Sequence, residues 1–168
     1  MKVIINEKDI QEAAGQGCEA FVCLFADRIL ESIGGELNAD TMALLSADQI
    51  TLLAYRIVKC EVMEGGFIQL IHNGYGSFIF LNPFAKAMRQ WGAKEFGSLI
   101  YDVRPLFERY GDALTNRDFS DEEFMALYEQ YEEFDAMDDA FIEMEEGVTE
   151  LVAHYIDEHL ENFAEVEK

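Results

Sequence analysis

The chain has 168 residues, half of them apolar, and a formal net charge of −22 from 34 acids against 12 Lys and Arg. That size and apolar share suffice for one well-buried core, and two prolines with no Ser-, Pro- or Gly-rich stretch leave little material for a linker, so a single domain over residues 1–168 is expected. The acid excess argues against direct binding to nucleic acid, which rests on Lys and Arg neutralising phosphates.

From the N-terminus, Met1–Asp9 carries Lys2, Glu7, Lys8 and Asp9 and is followed by no long apolar run, so it does not read as a secretory signal. Asn6 is placed to cap a helix running to about Ile33, with Ile10, Ala14, Phe21, Leu24 and Phe25 at helical intervals and Gly34-Gly35 ending it. Cys18, Cys23 and Cys60 are odd in number and match no zinc spacing, which suits a reducing compartment. Cys18 and Cys60 are expected to pack in helices, and a cytoplasmic protein is expected. Ser46 with Gln49 makes a capping box that opens a helix through Ile50, Leu53, Ala54, Ile57 and Val58.

The longest uncharged stretch, Gly65–Ala85, holds Gln69, His72, Asn73, Asn82, Pro83 and four glycines, a composition that argues against a membrane span. Within it Gly65 and Gly66 suggest a turn or a close helix approach, Phe67 a core residue, and Gln69 a partner for backbone groups near the turn. Ser77–Leu81 alone has the strand-prone run of Phe78, Ile79 and Phe80. Asn82-Pro83 then signals a helix start, Gly92 after Trp91 a helix end, and a further helix is predicted from Lys94 to about Phe107.

Charge is uneven along the chain. Residues 1–117 carry 15 acids and 11 Lys or Arg, whereas residues 118–168 carry 19 acids and only Lys168. A disordered polyacid would lack the aromatic residues found here. Ser120 and Glu123 form a second capping box, after which Phe124, Leu127, Tyr128, Tyr131 and Phe134 share one helical arc. A second stripe runs through Met137, Phe141, Met144, Val148, Leu151, Tyr155 and Phe163. Opposite it stand Asp139, Glu143, Glu146, Glu150, Asp157 and Glu161, a ladder of like charge without interspersed Lys or Arg. As two neighbouring helices this segment would carry about one charge per 2 Å, close to the roughly 1.7 Å of duplex DNA. The six acids are the predicted surface for a basic partner.

The run Glu61-Val62-Met63-Glu64-Gly65-Gly66-Phe67-Ile68-Gln69-Leu70-Ile71-His72-Asn73-Gly74, then Ala87 to Gly92-Ala93, resembles the signature of the bacterial DNA-mimic protein family. Phe134–Phe141 resembles that family's C-terminal pattern, and the likeness covers roughly residues 46–160. The resemblance implies an all-α fold and acids that occupy the DNA site of a DNA-binding protein, such as a transcription regulator or nucleoid protein. It leaves a homodimer open. The motif residues Gly65, Gly66, Phe67, Gln69 and Asn73 read as structural.

Catalytic constellations are missing from the sequence. No Glu-x-x-His pair exists for a di-iron bundle site, Asp135, Met137 and Asp139 lack the EF-hand's middle ligand, and no phosphate loop occurs. Glu150, His154 and Glu158 share a helix face, where a solvated ion-paired histidine is the simpler reading than a metal ligand. No metal or cofactor is therefore expected, and the protein reads as a non-enzyme. The alternatives are a ligand pocket around Gly65–Gly76 using Gln69, His72 and Asn73, a Cys-His nucleophile, and an acidic dimeric scaffold or immunity-like protein.

Overall fold

A computed structural model describes residues 2–168. In chain order the elements are β1 (Ile4–Asn6), α1 (Glu7–Gln16), α2 (Cys18–Ser32), α3 (Ala39–Met42), α4 (Ala47–His72), α5 (Gly76–Phe80), α6 (Phe84–Gln90) and α7 (Lys94–Leu114). They continue with α8 (Asp121–Gln130), a 3-10 turn (Glu132–Phe134), α9 (Asp135–Glu158), α10 (Leu160–Phe163) and β2 (Glu165–Glu167). The class is all-α, as the sequence implies. By contact density the chain divides into two compact units, one from the N-terminal segment up to Arg56 together with Glu146–Lys168, the other Ile57–Glu145. No helix among the described residues is long and apolar enough to cross a membrane.

In the first unit Asn6 caps α1 by accepting the Lys8 N–H at 2.8 Å. The single helix predicted as far as Ile33 is instead cut at Gly17, whose φ of 118° is open to glycine and strained for other residues. Beyond the cut, α2 buries Phe21, Val22, Phe25, Ala26 and Ile29 on one face. The Ser46–Gln49 capping box forms, with the Gln49 N–H donating to Ser46 Oγ at 3.1 Å and the Ser46 N–H to Gln49 Oε1 at 2.9 Å. Phe163 sits edge-on to Phe25 at 6.5 Å, and the Tyr55 and Thr149 hydroxyls meet at 2.6 Å, which satisfies the buried polar Thr149. The chain ends pair as a two-stranded parallel sheet, Ile4 opposite Glu165, which the sequence patterns do not announce.

In the second unit α5 replaces the short strand suggested at Ser77–Leu81. A run of three apolar residues is too short for periodicity to tell strand from helix, and the helix buries Ile79 and Phe80. Pro83 rather than Asn82 stands at the cap position of α6, and the Asn82 amide donates to the Phe78 carbonyl at 3.0 Å. The next helix, α7, passes through Pro105 and ends at Leu114, well beyond Phe107. Its Phe96 lies 5.8 Å from Phe84 and 5.6 Å from Phe141, and Trp91 is buried nearby in sequence. The Ser120–Glu123 box opens α8. Cys18 and Cys60 lie in helices yet are exposed rather than packed.

Candidate partner-binding surface

Five of the six predicted acids, Asp139, Glu143, Glu146, Glu150 and Asp157, lie on α9 and are exposed. At about 100° per residue they fall in an arc about 60° wide, and the buried Phe141, Val148, Val152 and Ile156 lie roughly opposite. Asp139 and Glu143 belong to the second unit, Glu146, Glu150 and Asp157 to the first. Glu161 is also exposed but sits on α10, past a break at His159 where φ is −135° and ψ 40°. It is therefore not part of the α9 arc. Asp157 and His154 line a groove of about 200 Å³ with Cys18, Phe21 and Ala153.

None of the six acids takes part in an ion pair among the described residues. Glu145, on the inward side of the same helix, behaves differently: it pairs with Lys59 at 3.4 Å, and both side chains are under a fifth exposed. Along α9 the pairs Asp139/Glu143 and Glu146/Glu150 are spaced i, i+4, an arrangement that costs a few tenths of a kcal/mol each when the charges are alike. From Asp139 to Asp157 the helix rises about 27 Å, so the five charges stand about 7 Å apart. That is about half the axial density of one DNA strand, where a charge recurs every 3.4 Å. The density estimated from sequence is not reached on α9 because Glu145 and Asp138 face inward and the acids before Asp135 sit on other elements. By unit the charge is even, each carrying a net −11.

The motif residues build a joint in the second unit. Gly65 (φ −145°, ψ 16°) and Gly66 (φ 75°, ψ −177°) break α4 into two helical segments. The combination at Gly66 is essentially closed to residues with a Cβ, and a Cβ there would collide with the Asp138 carboxylate. Asp138 Oδ1 accepts the Phe67 N–H at 2.8 Å, so a side chain from α9 caps the second segment of α4. The Tyr128 hydroxyl donates to the Gly65 carbonyl at 2.8 Å. Burial pushes the Asp138 carboxyl up to about 6, Asp135 and Asp139 add to the rise, and the Phe67 N–H opposes it. Burial also raises the Tyr128 phenol, with Asp138 contributing.

Phe67, Ile68, Leu70 and Ile71 are fully buried. Gln69 donates to Glu61 Oε2 at 3.0 Å rather than to backbone groups, and Asn73 donates to the same oxygen at 2.9 Å. His72 Nε2 bonds the Arg117 carbonyl at 2.9 Å, and its ring lies 5.1 Å from Phe124. The three polar groups considered for a pocket thus have internal partners. Among the described residues no cluster of His, Cys, Asp or Glu is arranged for a metal ion. Asp138 is the residue that sequence reasoning passed over, although it stands three residues before Phe141, on the inward stripe.

Residues 43–159 match the family model described as DMP19-like protein. A curated protein of Neisseria meningitidis serogroup B (strain ATCC BAA-335 / MC58), DNA mimic protein DMP19, is 34% identical over 127 residues, covering 76% of this chain and 77% of that one. The family match spans the broken helix, the Asp138 cap and all of α9, and this chain belongs to the DMP19-like protein family.

Proposed function

We propose that this protein is a non-enzymatic DNA mimic whose α9 acids, Asp139, Glu143, Glu146, Glu150 and Asp157, take the place of phosphates in the nucleic-acid site of a basic DNA-binding protein. Glu161 on α10 adds to the acid field. The observation that carries the reading is that these carboxylates are exposed and, among the described residues, in no ion pair, on a helix whose other side is buried. Charges held in this way face a partner without first having to leave an internal ion pair. The name of the Neisseria relative supports the same reading. A transcription regulator or nucleoid protein is the partner class, and a homodimer would double the acidic faces. The odd count of three cysteines, matching no zinc spacing, supports a reducing, cytoplasmic setting. Gly65, Gly66, Phe67, Gln69 and Asn73 act as scaffold, since their hydrogen bonds and burial are spent within the second unit.

Affinity capture from cell lysate at low salt tests the proposal. The expected result is retention of a basic DNA-binding protein that added duplex DNA releases. Retention of partners that neither salt nor DNA displaces would contradict it.

A further inference from the structure

About one residue in five of this chain is an acid, yet residues 65–94 contain none and carry Lys86, Arg89 and Lys94. None of these three cations takes part in an ion pair among the described residues, although carboxylates outnumber bases almost threefold. The acid-free segment forms one wall of a groove of about 340 Å³ in the second unit, lined by Leu81, Pro83, Lys86, Ile100, Tyr101 and Arg104. Leu81 is 54% and Tyr101 43% exposed, so two large side chains stay partly open to solvent in the groove that Lys86 also lines.

The groove is also organised. The Arg89 guanidinium lies 4.8 Å from the centroid of the Tyr101 ring while bonding Ser98 at 3.1 Å, which holds the tyrosine in place. Pro105 has no N–H to offer the Tyr101 carbonyl four residues before it, which leaves that acceptor without its usual helical donor. Arg104 shares its charge with Glu108 at 3.0 Å, and Asp102 follows Tyr101 on α7, so Lys86 is the least compensated charge at the rim. Tyrosine and arginine around an apolar centre are the composition of interface hot spots.

We infer that this groove docks an acidic segment of a protein partner, which sets one bulky apolar side chain against Leu81 and Tyr101 and a carboxylate on Lys86. The basic partner of the acidic helix would be repelled here, so the two surfaces select partners of opposite charge. Selection of displayed random twelve-residue peptides on the full chain, with counter-selection on L81S and K86E, tests the assignment. Both substitutions are at exposed positions, and circular dichroism checks their fold. The expected peptides are rich in Asp and Glu with one Leu, Phe or Trp, and bind K86E and L81S at least about tenfold more weakly. Recovery of basic peptides, no enrichment over the counter-selected pool, or equal binding to both variants overturns the proposal. So does K86E breaking a self-associated chain into monomers in sedimentation, because a second copy would then be the occupant.

Discussion

Asp138 and Asp139 are neighbours on α9 with opposite surroundings. The first turns inward, takes the Phe67 N–H across the gap left by Gly66, and is raised to about 6 by burial. The second is exposed and in no ion pair among the described residues, like Glu143 and Glu146 further along. One residue step, about 100° around the helix, separates a carboxylate bonded within the fold from carboxylates that face solvent. The inward side of α9 therefore bears on stability and the outward side is the surface proposed for a partner, and substitutions on the two sides have different signatures.

The joint at Gly66 gives the largest expected effect. Replacing Gly66 by Ala places a Cβ in a glycine-only conformation and against Asp138, and lowers stability by about 2–4 kcal/mol in urea unfolding. A cost below about 0.5 kcal/mol would show that the joint does not depend on this contact.

Asp138 comes next. Its carboxyl is raised from 3.8 to about 6 in the fold, so the folded protein binds that proton more tightly than the unfolded chain. The resulting stabilisation is fully present below about pH 3.8 and is lost as pH rises through 6. The substitution D138N keeps an acceptor for the Phe67 N–H and removes the charge. It should flatten this slope and add about 1 kcal/mol at pH 7.5, since solvent partly screens the charge. D138A, which leaves the N–H without an acceptor, should instead cost about 1–3 kcal/mol. Thermal melts of both variants from pH 4 to pH 8 check the pair.

On the outward side E143Q/E146Q/E150Q has the smallest effect on stability, a gain of a few tenths of a kcal/mol at low salt as like charges are relieved. A large loss would mean that these acids are part of the scaffold.

Elements with local signals were legible in the sequence. The capping boxes at Ser46 and Ser120, the Asn6 cap and the burial of Phe141 and Val148 in the stripe of α9 follow from residues within a few positions of one another, whereas Leu151 of that stripe is exposed. Features that depend on distant partners were not. The cap that Asp138 supplies to Phe67 spans 71 positions, and the β1–β2 pairing joins the chain's two ends. Short or ambiguous runs mislead for local reasons: Phe78-Ile79-Phe80 is helical but too brief to show a period, and Gly17 divides a pattern that otherwise continues. Of the predicted site, the spacing from Asp139 to Asp157 placed five acids on one arc, whereas the break at His159 that displaces Glu161 has no proline or glycine to announce it.

The most direct test of the mimic reading is the salt dependence of affinity for the captured partner, measured for the wild type and for E143Q/E146Q/E150Q. The account predicts affinity that falls steeply with salt, a variant about tenfold or more weaker at low salt, and a shallower salt slope for the variant. Equal affinities and equal slopes would contradict the assignment of α9 as the partner-binding surface.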